Sequence, residues 1–285
     1  MKARARWAAL VVGAAVVLVA GSGLYERFFG RKRLRFPYLA RPIPAATYDA
    51  LAAAPGWAKG ELLVAPGVTL RGLLRRTTSK TAPWVLFYPG NDESQLQRGQ
   101  AFLQRLAGDT DWGLAVFAYR GYDASDGKAE LAGIRQDAPE ILAKLCAAEN
   151  IAPGRVHLAG FSIGGHFSVH AAGAANKRGQ RAASLTLLAS VDDIVMFQPS
   201  PWQKLSPGED YQTRPYLADV PAPVLVLQGS ADEALAGPQQ GRDIAQALGA
   251  RASYLELPGV KHVALLENAE ALDAVRRFVR AHSQP

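Results

Sequence analysis

The run Gly160-Phe161-Ser162-Ile163-Gly164-Gly165 sets a serine between glycines, directly after the apolar stretch "RVHLAGF" and directly before the helical spacing of "IGGHFSVHAAGAA". A serine on a sharp strand-to-helix turn is pushed out above the sheet. Glycines two residues to either side are needed because side chains there would collide. The helix that follows aims its N-terminal N–H groups at the same point, where developing negative charge is stabilised. Those features suit nucleophilic attack on a carbonyl, and the bland alternative is a structural glycine turn.

A serine hydroxyl needs a base, and the base needs an orienting acid. Asp232 in "VLVLQGSADEAL" and His262 in "YLELPGVKHVALLE" each follow a buried strand pattern, 70 and 100 residues after Ser162. Glu233, Asp192 and Asp193 are competing acids, and Asp232 as a loop or capping acid is the structural alternative. His262 has no rival histidine at a strand end. His157 lies within the strand before the turn, and His282 lies in the C-terminal tail. His166 and His170 are four apart on the helix after Ser162, but they lack the glutamate and third ligand of a metal site. No metal and no cofactor are expected. A tetrahedral oxyanion requires two N–H donors. Ile163 follows the nucleophile directly, and the loop after "WVLFYPGN" offers Asn91, with an ordinary Pro89-Gly90-Asn91 turn as the alternative.

The elements that must carry these residues alternate. Short runs rich in Val, Leu and Ala ("PWVLFYPG", "GLAVFAYRGY", "RVHLAGFS", "ASLTLLAS", "PAPVLVLQGS", "ASYLELPG") are separated by segments of helical spacing. The pattern predicts an α/β fold, a mostly parallel sheet with helices on both faces. Ligands then bind beyond the carboxyl ends of the strands, where Ser162, Asp232, His262 and the Asn91 loop fall. "HVALLENAEALDAVRRFVRAH" reads as one closing helix. Residues 36–59, with several prolines, read as a linker packed partly on a catalytic domain over 60–285. Residues 191–220 are long enough for a short lid, in which Met196, Phe197, Trp202, Tyr211 and Tyr216 either line an apolar acyl pocket or anchor the loop.

The chain has 285 residues, about half of them hydrophobic, and one cysteine, so no intramolecular disulfide forms. The net charge of +7 belongs to residues 1–35, which hold eight Lys/Arg and one acid; the other 250 residues are balanced at 24 of each sign. No nucleic-acid partner is expected from that distribution. Residues 7–25 are uncharged and as a helix reach ~28 Å, near the ~30 Å of a bilayer core. They read as a single-pass N-terminal membrane anchor within the basic segment 1–35, and a cleaved secretory signal is the alternative. The charge flanks and the early basic head disagree on orientation, with a lean to an extracytoplasmic catalytic domain. Nothing in the sequence fixes an oligomeric state.

Four features, "FYPGN", "AYRGYDASDG", "GFSIGG" and the Asp232/His262 pair, resemble the α/β-hydrolase superfamily in its serine aminopeptidase-like and depalmitoylase-like branch, over about residues 60–282. Two departures stand out. Tyr88-Pro89-Gly90 replaces the His-Gly of the branch, and Asp123 occupies a position usually held by glycine. The resemblance implies the chain order nucleophile, acid, base (Ser162, Asp232, His262) and a backbone oxyanion hole from Ile163 and Asn91. It also makes Arg120 and Tyr122 scaffold for the bordering loop. The expected activity is serine hydrolysis of an ester or thioester of a small-molecule or lipid acyl substrate. A peptidase or aminopeptidase-like amide hydrolase and a non-catalytic scaffold of the same fold are the alternatives.

Overall fold

The computed structural model describes residues 38–193, 212–234 and 237–283. In chain order they form α1 (Ala45–Ala52), β1 (Trp57–Ala65), β2 (Val68–Arg75), β3 (Trp84–Tyr88), α2 (Gln95–Ala107), β4 (Gly113–Phe117), α3 (Leu131–Glu149), β5 (Val156–Phe161), α4 (Ile163–Lys177), β6 (Ser184–Leu188), β7 (Val224–Gly229), α5 (Gly237–Leu248), β8 (Ala252–Leu257) and α6 (Ala269–His282). One eight-stranded sheet runs in the order β1-β2-β4-β3-β5-β6-β7-β8. The pairs β1/β2 and β2/β4 are antiparallel and the remaining neighbours are parallel. This is the expected α/β architecture.

Strands β3 to β7 are buried along their whole length. That explains their apolar runs, because helices cover both faces and leave no solvent side to alternate toward. Leu86, Leu114, Val116, Leu158, Leu187 and Val226 are fully buried at the centre of the sheet. Helix α3 packs beside α4, and α2 beside α6. The register fixes where chemistry can occur. Tyr88 pairs with Gly160, Gly160 with Leu187, and Leu188 with Leu227. The carboxyl ends of β3, β5, β6 and β7 therefore stop at one level, with Gly229 of β7 opposite Leu257 of β8.

Several boundaries differ from the sequence expectation. The linker segment carries, in its described residues, secondary structure packed on the sheet. It holds α1 and the first residues of β1, and Tyr48 of α1 is buried with its hydroxyl donating to the Gly72 carbonyl at 2.9 Å. The closing helix is two pieces, a 3₁₀ turn Val263–Leu266 and then α6, because Asn268 caps α6 by accepting from the Ala271 N–H at 3.0 Å. Asp123, where the resemblance leads to an expected glycine, lies at φ 49°. Its Oδ2 accepts from the Leu96 N–H at 2.7 Å, so the side chain satisfies an N-terminal donor of α2 that glycine would leave to water.

The expected membrane anchor is corrected. Among the described residues no helix is long and apolar enough to cross a membrane. The longest, α3, carries Arg135, Asp137, Glu140, Lys144 and Glu149 along its 19 residues, which belong on a globular domain. Residues 7–25 themselves lie outside the described residues. The single-pass anchor and the extracytoplasmic lean that went with it are not supported, and the signal-peptide alternative falls on residues outside the described ones.

Two buried titratable groups give opposite pH signatures. Burial first, and then the charge of His282, push the His157 imidazole down to about 4. The unfolded chain binds more protons below about pH 6.5, so this group costs stability as pH falls from there toward 4. His157→Gln removes the effect. Urea midpoints should show the variant keeping about 3 kcal/mol more of its own neutral-pH stability at pH 4 than wild type keeps. Burial pushes Asp123 up to about 6, against the hydrogen bonds it accepts. The folded state then holds the proton that the unfolded state has released, and stability falls as pH rises from about 4 to about 6. Asp123→Asn tolerates the positive φ and still accepts from Leu96. Its stability relative to wild type should rise by about 2 kcal/mol between pH 4 and pH 7, and a flat difference would contradict the assignment.

Candidate active site

Ser162 sits between β5 and α4 at φ 55°, ψ −124°. For a residue with a side chain this backbone costs about 1–3 kcal/mol, and the surroundings hold it there. The Ser162 N–H donates to the Leu188 carbonyl at 2.9 Å, and its own carbonyl accepts from Gly165 at 3.0 Å. A Cβ on Gly164 would lie 2.1 Å from the Tyr88 carbonyl oxygen and 2.4 Å from that of Pro89; one on Gly160 would lie 2.4 Å from Ser168 Oγ. Both glycines are therefore steric requirements. The first of them presses the serine turn against the loop that follows β3.

That loop is fixed through its acceptors. Tyr119 donates its hydroxyl to the Pro89 carbonyl at 2.9 Å, and Gln95 Nε2 donates to the Gly90 carbonyl at 2.9 Å. Asn91 Oδ1 accepts from the Tyr122 hydroxyl at 2.6 Å and from the Leu39 N–H at 2.7 Å. The Asn91 side chain is thus an anchor of this loop. Tyr122 acts as loop scaffold. So does Arg120, which pairs in bidentate fashion with Asp137 of α3 at 2.5 and 2.7 Å. Ile163, the first residue of α4, is buried beneath the turn, and its N–H is one that the helix itself leaves unpaired.

Asp232 follows β7 and His262 follows β8, and the fold joins them: His262 Nδ1 bonds Asp232 Oδ2 at 2.8 Å. The His262 ring packs on Phe161, the residue before Ser162, with centroids 4.8 Å apart. No hydrogen bond links Ser162 to His262 among the described residues. The competing acids are elsewhere. Asp192 is paired with Arg214, Asp193 accepts from Gln212 at 3.3 Å, and Glu233 is exposed. Burial drives the Asp232 carboxyl upward, yet the bonds from His262, the Ala234 N–H and Gln228 together hold it below its usual range. It is the anion that an imidazolium needs.

The other histidines are occupied differently. His157 bonds Ser184 at 2.7 Å and Ser283 at 3.2 Å. His166 bonds Thr213 at 3.1 Å and Arg135 at 3.0 Å, and burial holds its ring well below its ordinary pKa. His170 stacks against Tyr216, centroids 4.1 Å apart. Tyr216 therefore packs onto α4. The remaining aromatic and methionine candidates of the lid, Met196, Phe197, Trp202 and Tyr211, lie outside the described residues. A cavity of about 640 Å³ opens beside the cluster, lined in part by Asn91, Asp92, Gln97, Arg98, Val263 and Leu266. It lies between α2 and the turn after His262.

Two residues that the sequence reading passed over belong to this cluster. Asp92 is buried and paired with Arg98 at 2.6 Å. Its carboxyl is raised by burial against the pull of Arg98 and His262. Gln228 is fully buried at the end of β7 and donates to Asp232 Oδ2 at 2.9 Å. A polar side chain at the end of the apolar run "VLVLQG" was the available signal.

No protein-family model matches the chain. It is 30% identical over 285 residues to the uncharacterised protein Rv2307c of Mycobacterium tuberculosis, spanning 96% of each. YfhR of Escherichia coli is 27% identical over 128 residues, 45% of each. Solved structures similar to it include an α/β hydrolase from Vibrio vulnificus, at 20% identity and TM-score 0.69 over 89% of this chain and 91% of that one. The carboxylesterase EstE1, cloned from a metagenomic library, gives 16% and 0.62 over 90% and 97%. A membrane phospholipase A, described as a bacterial virulence factor, gives 17% and 0.63 over 97% and 99%. The chain has the α/β-hydrolase fold and belongs to the family of the mycobacterial protein Rv2307c.

Proposed function

We propose that the protein is a serine hydrolase that cleaves a carboxylic ester or thioester through an acyl-enzyme. The observation that carries this is the His262–Asp232 hydrogen bond of 2.8 Å with the His262 ring laid against Phe161, next to the strained Ser162. Two of the structural neighbours, a carboxylesterase and a phospholipase A, cleave acyl esters by their names, which favours acyl substrates. The serine aminopeptidase-like and depalmitoylase-like branch rests on the motifs "FYPGN", "GFSIGG" and "AYRGYDASDG".

In this mechanism Ser162 Oγ attacks the carbonyl carbon while His262 Nε2 takes its proton. Asp232 holds the ring by Nδ1 and stabilises its charged form. The Ser162–His262 hydrogen bond, which is not made in the free chain, forms in the substrate complex in this reading, as such bonds commonly do. The Ile163 and Asn91 amides take the oxyanion, each donor being worth about 3–4 kcal/mol of transition-state stabilisation in comparable enzymes. The imidazolium returns its proton to the leaving alcohol or thiol. Water, deprotonated by His262, then releases the acid and restores Ser162.

A fluorophosphonate probe should label Ser162 stoichiometrically, read by peptide mass spectrometry, and Ser162→Ala should abolish labelling with its melting temperature retained. His262→Ala should lower kcat/KM on short-chain p-nitrophenyl esters by at least about a thousandfold. A folded wild-type protein that resists the probe and turns over no aryl ester or acyl thioester would favour a non-catalytic scaffold.

A further inference from the structure

We propose that Gln228 is a positioning residue of this site: its buried carboxamide holds the Asp232 carboxylate in the orientation that His262 requires. The role rests on the hydrolase assignment above, and its test separates the two.

Gln228 is the one polar side chain in the buried strand β7, and it is fully enclosed. Its Nε2 donates to Asp232 Oδ2 at 2.9 Å, with a long contact to the Gly229 carbonyl at 3.4 Å. Its Oε1 is buried with no hydrogen-bond partner. An amide that leaves its acceptor orphaned is a poor choice for stability, and an apolar side chain of similar shape would serve the core better. The reverse amide orientation would set Oε1 against the carboxylate, so the donor is the part of the group that is used.

The recipient explains the choice. Asp232 Oδ2 is shared by Gln228 Nε2 and His262 Nδ1, the latter at 2.8 Å, while Oδ1 takes the Ala234 N–H at 2.9 Å. Both oxygens are thereby tied to fixed donors and the carboxylate cannot rotate away from the imidazole. Helix α5 makes room for the arrangement. A Cβ on Gly241 would lie 2.9 Å from Gln228 Cβ and 3.0 Å from its Oε1. Sharing one oxygen also limits how strongly Asp232 pulls on the protonated ring. The other acid coupled to His262 is Asp92 of the loop after β3, itself paired with Arg98. Asp232 is thus the anion in direct contact with the ring, and Gln228 the neutral donor that tempers it.

Two variants of the full chain test this, read by steady-state kinetics on a p-nitrophenyl ester and by NMR titration of the His262 ring. Gln228→Leu removes the donor and keeps the bulk. Expected are a kcat lower by about ten- to a hundredfold at nearly constant KM and a His262 titration midpoint moved to higher pH. Gln228→Glu keeps the shape. While protonated, the new carboxyl donates an O–H to Asp232 and activity stays near wild type. As it ionises, activity falls, giving a limb on the alkaline side that wild type lacks. This second variant carries the test if the leucine variant fails to fold. A packing role alone predicts an unmoved His262 midpoint in Gln228→Leu and no alkaline limb in the activity of Gln228→Glu, and that result overturns the proposal. Ser162 labelled by fluorophosphonate with an unmoved midpoint leaves the hydrolase assignment standing without Gln228. Ser162 unlabelled with a moving midpoint supports the Gln228–Asp232–His262 linkage and removes the hydrolase assignment.

Discussion

The close approach of Gly164 to the carbonyls of Tyr88 and Pro89 is the constraint on which the rest of the site depends. It allows the serine turn to sit against the end of β3, and it leaves the Ser162 backbone at a positive φ that a free chain would abandon. The strain is sustained by a bond to β6, from the Ser162 N–H to Leu188. The sheet register places the ends of β3, β5 and β6 at one level. A single extra methyl at Gly164 would separate the serine from the loop that carries Asn91.

Electrostatics then act on this fixed frame. Asp232 is buried yet stays ionised, since three donors compensate for the water it lost. The loop of Asn91 is held by donors from Tyr119, Gln95, Tyr122 and Leu39, each directed at an oxygen of that loop. Its backbone is thereby held by the fold itself, the fixity that the proposed oxyanion role would require. Asp123 and Asp92 lie buried in the same region with raised carboxyls. The stability costs fall close to the candidate chemistry, where such costs are commonly tolerated.

Much of this is legible in the residue string for physical reasons. Strands buried on both faces must be apolar throughout, so β3 to β7 stood out, and a serine flanked by glycines after such a strand marks the turn. Asp232 and His262 were legible because they follow strands, and a parallel sheet gathers strand ends. Other features depend on contacts between distant residues. Asp123 replaces glycine by capping α2 across 27 residues of sequence. Gln228 acquires its meaning only through Asp232, and α1 has a weak pattern of its own because a single tyrosine, Tyr48, anchors it in the core. The cavity beside the site is walled by α2 and the turn after His262, and no local pattern in either segment announces that pairing.

The most direct measurement is intact-mass spectrometry of the wild-type protein, acid-quenched within seconds of mixing with a slowly deacylating aryl ester. A covalent hydrolase with this geometry predicts one acyl adduct per chain, mapped to Ser162, accumulating as an equal burst of phenol is released. Ester turnover without an adduct, or an adduct on any other residue, would contradict the account.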